Sequence, residues 1–584
     1  MADPSSQEIF HHGQGVSNGV VYGPAYVITA DALRVPQRTI STQEVDAELS
    51  RFEDALAATR ADIERVKSVL VRADKSDEAA IFDSHILILE DDSLIESARS
   101  RIRDDRMNVE FAFSSLVLET VERIEKSENS YLRERVRDIR DVEHRVIRFL
   151  LGQREPAVGD LLHNAILVAH DLPATLTAEL DRDRILGFAT ELGSGNSHTA
   201  ILARALEIPA VVDLGPVMQR LSHGESVVLD GREGLLIQNP SPDTLAEYER
   251  IRAKIERKRA EWVSLAGVPG RTADGVALTL LANIEFNREV GTALTFGCDG
   301  IGLYRTEYLF LQGGGEMSEE DQHEVYGGIV RRMEGRPVTI RTLDLGGDKL
   351  LGGMEGEDNP FLGWRAVRYC LDRPDVFLAQ LRAILRAGAD GPVAIMIPMI
   401  TTMKEVDAVF GLVDAARESL RSEGLPHAES CPVGVLVETP AAALMAAELA
   451  RRFDFLSLGT NDLIQYTLAV DRGNRRIAHL YQPFHPAVLR LLREVVDAAE
   501  SAGKPLSVCG EMGSNARAAV LLLGLGVRRF SMVPARIPRI KQVLGRVTVE
   551  EARETAREAL AQSDSDSVKA IVDRRFGERF RHAP

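Results

Sequence analysis

Cysteine is scarce: four in 584 residues, Cys298, Cys370, Cys431 and Cys509, all in the second half of the chain and with no CxxC pair. This excludes a disulfide framework and a thiolate zinc site, and it is the usage of a reduced, cytoplasmic protein. Long apolar runs are missing too. No stretch approaches the roughly 18 to 20 uninterrupted apolar residues of a membrane span, so a soluble protein without membrane insertion is expected. The N-terminal MADPSSQEIFHH has neither a basic n-region nor an apolar h-region, and no secretory signal is read there. Positive charge is in deficit, with a formal net charge of -18. Sequence-independent nucleic-acid binding relies on cations neutralising phosphates, so no nucleic-acid partner is expected and any phosphate site must be a local basic cluster.

A chain of this length exceeds one hydrophobic core and suggests about three or four folding units. From Ser41 to Gln153 there is a single glycine, Gly152, and apolar residues recur at helical spacing from a capping-box candidate, Ser41 to Glu44. This predicts a helical bundle over residues 36–155. The flanking pieces, GVVYGPAYVIT before it and AILVAH, RILGFAT, AVVDL and ESVVLDGREGLLIQ after it, are short β-rich runs with glycine turns. The bundle therefore reads as an insertion into an α/β domain of residues 1–35 and 156–238. Residues 239–270 carry a charged run free of glycine and proline from Thr244 to Leu265, which predicts a connector helix with Pro242 near its start.

From residue 271 to 584 eight apolar runs, ALTLLANI, GIGLYRTE, PVTIRTLDLG, PVAIMIPMI, PVGVLVET, FLSLGTND, PLSVCGE and RRFSMV, each precede a helix-compatible segment. That is the sequence form of a (β/α)8 TIM barrel, making the fold class multidomain α/β. Catalytic groups of such barrels sit at the C-terminal ends of strands, and here those ends are polar: Arg305, Thr306 and Glu307; Arg341, Asp344 and Lys349; Glu438; Asn461 and Asp462; Cys509 and Glu511; with Arg472 just beyond the sixth. Arginine forks suit phosphate or carboxylate, and Glu438 with Asp462 could share a magnesium ion with substrate oxygens. Each such charge also suits a structural ion pair on the rim. Cys509 reads either as a small buried hydrophobe or as a thiol kept protonated at neutral pH and able to donate a proton.

In LGSGNSHTAIL, His198 precedes an apolar helical segment, so it should lie near a helix N-terminus, where free N–H groups favour an anion. Two readings stand: an idle neighbour of a cap formed by Asn196 or Ser197, or a neutral imidazole nucleophile whose phosphorylated form the helix start stabilises.

The stretches GIGLYRTEYLF, RTLDLGGDK, NPFLGWRAVR, VGVLVETPAAA, LGTNDLIQYTLAVDRGN and the CGE at Cys509 together resemble Enzyme I of the bacterial phosphotransferase system, the phosphoenolpyruvate-protein phosphotransferases, over nearly the whole chain. The resemblance implies that His198 carries the phosphoryl group and that Thr177 contacts it. It places phosphoenolpyruvate on Arg305, Arg341, Asn461 and Arg472, with Lys349 and Arg365 in the same pocket, Mg2+ on Glu438 and Asp462, and Cys509 as proton donor. It implies a swivelling phosphohistidine domain, docking of the histidine-containing phosphocarrier protein on the inserted bundle, a homodimer through the barrel, and the first general step of sugar uptake, with pyruvate released. Ser194 and Asn196 stand where the family usually has a glycine and a threonine. The rivals are a phosphoenolpyruvate synthase or pyruvate phosphate dikinase, for whose nucleotide site no GxxxxGK[ST] segment or spare block is found, and a nitrogen-regulatory Enzyme I, whose extra N-terminal sensory domain is not read here.

Overall fold

In a computed structural model of the chain, the described residues are 8–17, 19–28, 35–72, 81–125, 130–152, 164–170, 185–193, 203, 208–312, 317–346, 359–472, 474 and 476–581. Two compact units divide between Glu256 and Arg257, inside the continuous helix Pro242–Ser264. No helix among the described residues is long and apolar enough to cross a membrane.

The first unit contains an eight-stranded open sheet in the order β1-β8-β7-β3-β4-β5-β6-β2. Its strands are β1 (Ile9–His12), β2 (Gln14–Ser17), β3 (Val20–Ile28), β4 (Ala165–Ala169), β5 (Ile185–Thr190), β6 (Ala210–Val212), β7 (Ser226–Asp230) and β8 (Leu235–Gln238). β3 to β6 run parallel at the centre, and the outer pairs are antiparallel. β4 is buried throughout: Leu167 and Ala169 join one apolar cluster and Ile166 and Val168 another, as alternation demands of a strand covered on both faces.

Between β3 and β4 the chain forms the helices Val45–Arg72, Ile81–Leu89, Asp92–Arg103, Val109–Glu125 and Ser130–Leu151. They close over Phe52, Ile63, Phe82, Ile102, Val117 and Val146. The first helix starts at Val45, and the capping box is only half built. The Glu44 carboxylate accepts the Ser41 N–H at 2.8 Å, while the Glu44 N–H goes to the Ser41 carbonyl rather than to its hydroxyl. In the second helix and its successor, Leu89 is core, Ile86 and Leu94 pack against the core, and Leu87 is exposed.

The second unit is a closed parallel barrel of β9 (Thr279–Ile284), β10 (Ile301–Tyr304), β11 (Val338–Arg341), β12 (Val393–Ile397), β13 (Val433–Val437), β14 (Phe455–Leu458), β15 (Leu506–Val508) and β16 (Arg529–Met532). Each strand lies within one of the eight expected runs, and β16 pairs with β9 to close the ring. The strands stop sooner than the apolar runs do: β10 ends at Tyr304 and Glu307 already starts a helix. The polar tails of the runs thus lie just outside the ladder, at the barrel mouth.

Candidate active site at the barrel mouth

A cavity of about 220 Å³ opens at the C-terminal ends of the strands, lined by Glu285, Leu303, Arg305, Arg341, Asp344, Phe361, Arg365, Leu436, Glu438, Gly459, Asn461, Asp462, Arg472, Cys509 and Gly510. Eight of the expected site residues meet there: Arg305, Arg341, Arg365, Glu438, Asn461, Asp462, Arg472 and Cys509. Lys349, Thr177 and His198, together with Ser194 and Asn196, lie outside the described residues.

The arginines are held by carboxylates. Arg341, last residue of β11 and buried, places Nη2 2.5 Å from Glu307 and Nη1 3.3 Å from Asp344, and its buried Nε has no hydrogen-bond partner. Burial works against its charge, but Glu307, Asp344 and Glu438 overcome that and hold the guanidinium charged, its pKa above the ordinary arginine value. Arg365 grips Asp344 through Nε and Nη2 at 2.9 to 3.0 Å and gives Nη1 to the Tyr466 hydroxyl at 3.0 Å. Tyr466 in turn donates to the Phe361 carbonyl at 2.5 Å, tying the turn at Phe361 to the helix Thr460–Leu468. Arg305 pairs with Glu285 at 2.5 Å. Arg472 is more exposed, 4.0 Å from Asp462.

The carboxylates are less completely matched. Glu438 is buried and accepts the Met399 N–H at 2.8 Å. Burial first, then the charges of Asp462 and Asp344, push its carboxyl up to about 8. Asp462 Oδ1 is buried without a hydrogen bond, its cations Arg365 and Arg472 standing at 3.8 and 4.0 Å. Two adjacent carboxylates with an unsatisfied oxygen in a shared cavity fit a divalent cation. Among the described residues no group of three or more His, Cys, Asp or Glu could hold a metal alone, so two protein oxygens supplemented by substrate oxygens and water is the arrangement the donors allow.

Close backbone approach shapes this corner. A Cβ on Gly459 would lie 2.7 Å from Glu438 Cβ, and one on Gly510 only 1.9 Å from Thr460 Oγ1. Asn461 accepts the Glu511 N–H at 2.9 Å. Cys509 is 3% exposed, its thiol 3.7 Å from the Leu458 carbonyl and its own carbonyl held by Asn283 Nδ2 at 2.8 Å. Burial raises the thiol above its ordinary value, which keeps the proton on sulfur.

Sequence reasoning missed Glu285, Leu303, Leu436, Phe361 and Tyr466. Glu285 follows β9 directly and stood in the same strand-end position as the residues that were found. Tyr466 lies one helical turn after Asp462, on the same face. Phe361 sits in a single 3-10 turn, Pro360–Leu362, too short for any periodicity to mark it.

Comparison with known proteins agrees along the chain. Models of the PEP-utilising enzymes match residues 12–135 (N-terminal), 161–234 (mobile domain) and 259–549 (PEP-binding domain). The phosphoenolpyruvate-protein phosphotransferase of Geobacillus stearothermophilus is 41% identical, covering 97% of this chain and 98% of its own; that of Haemophilus influenzae is 39% identical, covering 95% and 97%. A solution structure of an Enzyme I protein matches 42% of this chain and 99% of its own at 33% identity, with a TM-score of 0.38. With fold, mouth chemistry and full-length relatives in accord, the chain belongs to the phosphoenolpyruvate-protein phosphotransferases, a family of PEP-utilising enzymes.

Proposed function

We propose that the barrel mouth binds phosphoenolpyruvate and that its phosphoryl group passes first to His198 and then to a histidine of the small histidine-containing phosphocarrier protein, with release of pyruvate. The observation that carries this is the meeting of Arg305, Arg341, Arg365 and Arg472 with Glu438, Asp462 and Cys509 around one cavity. The arginines bind the phosphate and carboxylate of the substrate, and the carboxylates that already neutralise Arg305, Arg341 and Arg365 fix the guanidinium planes before it arrives. A magnesium ion on Glu438 and Asp462, when bound, offsets charge on the phosphate oxygens. Lys349 and Asn461 complete the substrate pocket in this reading.

As the bond from phosphorus to the enol oxygen breaks, one forms from phosphorus to the His198 imidazole, and positioning with charge stabilisation supplies most of the catalysis. The enolate left behind takes the Cys509 proton on its methylene carbon and becomes pyruvate. Thr177 contacts the phosphohistidine. Residues 1–35 and 156–238 act as the swivelling phosphohistidine domain, residues 36–155 as the carrier-docking bundle, residues 239–270 as the connector, and the barrel from 271 as the substrate and dimerisation domain of a cytoplasmic homodimer serving sugar uptake.

The test is incubation of the purified protein with labelled phosphoenolpyruvate and magnesium. An acid-labile, base-stable phosphoprotein is expected, absent in His198→Ala and discharged by the carrier protein. Equal labelling of His198→Ala, or labelling from ATP alone, defeats the proposal.

A further inference from the structure

The cavity is charged at its rim and apolar at its floor. Besides Phe361, the apolar side chains lining it are Leu303, Leu436 and Cys509. These three pack with Met396 into a small buried cluster distinct from the main barrel core, with Phe455 against it. Leu303 and Leu436 are each 2% exposed. Leu303 precedes Arg305 by two positions and Leu436 precedes Glu438 by two, so each leucine shares an inward strand face with the charged group above it. Phe361 is different: half-buried, it lies with its ring 6.0 Å from the Arg365 guanidinium, on the rim.

Phosphoenolpyruvate has two anionic groups and one uncharged end, the methylene carbon, which is also the atom that must face a proton donor. The apolar floor contains the Cys509 thiol, and the rim holds the arginines. Resting on the function proposed above, we infer that Leu303 and Leu436 seat the methylene carbon and set the size of the substituent the enzyme accepts on it. The leucines are then specificity-determining residues: a methyl group added to that carbon has to displace one of them, because both are already packed against Met396 and Cys509.

One methylene in an apolar pocket discriminates by about 10- to 200-fold. The experiment compares kcat/KM for 2-oxo-acid release from phosphoenolpyruvate and from its 3-methyl homologue, whose product is 2-oxobutanoate, in wild type, Leu303→Val, Leu436→Val and Phe361→Leu. Wild type is expected to prefer phosphoenolpyruvate by about 10- to 200-fold, each valine variant to lower that preference by about fivefold or more, and Phe361→Leu to leave it within about twofold. Both substrates are measured on the same preparation, so a partly unfolded variant cancels out of the ratio. A wild-type preference near one, a ratio unmoved in both valine variants, or a ratio that follows Phe361 instead overturns the inference. Failure of wild type to release a 2-oxo acid from either substrate is a separate result, and it removes the underlying function.

Discussion

The two sheets of this chain bury parallel strands in different ways, and the difference decides where fixed charge can be kept. The sheet of the first unit stays open, with antiparallel strands outside the parallel centre. Its strand ends offer partly solvated groups such as His170, 56% exposed, paired with Glu191 at 2.6 Å. The barrel closes on itself, and its mouth holds Arg341, Arg365, Asp344 and Glu438 nearly out of contact with water. A ring of strand ends surrounds each such group with others from neighbouring strands, so a buried charge finds its partners across the ring; in the open sheet the buried Asp230 at the end of β7 is matched locally, by Arg232 two residues on. Ion pairs in the barrel should therefore carry much larger effects than the solvated pair of His170 with Glu191.

The largest effect is expected at Arg341. Arg341→Ala removes a proposed substrate contact and takes a buried cation from Glu307, while Asp344 keeps Arg365. Loss of one such preorganised donor costs about 10²- to 10³-fold in kcat, and unpairing a buried ion pair destabilises by about 3 to 5 kcal/mol. Pyruvate-release kinetics and thermal unfolding check the two parts. A variant that keeps wild-type activity and melting would show that the mouth is no different from a solvated rim. Cys509→Ala comes next: removing the proposed general acid should lower pyruvate formation by about 10²- to 10⁴-fold, with little change in stability because a small apolar side chain replaces a small buried one. Pyruvate formation within twofold of wild type would return Cys509 to the status of a core residue.

The legibility of the two regions differed for the same physical reason. In the barrel, eight apolar runs with polar tails were enough to place Arg305, Arg341, Glu438 and Asp462 around one mouth, because strand periodicity and the barrel's handedness leave little freedom in where a strand end can go. What could not be read were pairings across the ring: that Asp344 serves Arg341 and Arg365 together, or that the Glu438 carboxylate is anchored by the Met399 N–H. Those depend on side-chain reach between strands distant in sequence. In the bundle, helical spacing identified the element but did not separate Leu87, which is exposed, from Leu89, which is core, since both lie in one continuous apolar run.

A middle-sized effect is expected from Tyr466→Phe. The hydroxyl joins Arg365 to the Phe361 turn, so its loss frees one nitrogen of a buried guanidinium without removing any charge. A hydrogen bond to a charged group contributes about 1.5 to 3 kcal/mol, or roughly 10- to 100-fold. The loss should appear in KM for phosphoenolpyruvate, with kcat within about threefold, because the tether positions Arg365 and does not touch the reacting atoms. An equal fall in kcat with unchanged KM would instead place Tyr466 in the chemical step.

The smallest effect is expected at the open sheet. His170 bridges to Glu191, whose other oxygen accepts the Met218 N–H at 2.7 Å, so the carboxylate keeps a partner if the imidazole goes. With the histidine more than half exposed, its pair is screened by solvent, and His170→Gln should cost no more than about 1 kcal/mol in chemical denaturation of the full chain. The neutral amide can still donate to Glu191, which separates charge from hydrogen bonding: if His170→Ala is destabilising and His170→Gln is not, the pair acts as a hydrogen bond between the ends of β4 and β5. A loss of several kcal/mol in both variants would mean that the open sheet keeps as much enclosed charge as the barrel, and the contrast between the two would fall.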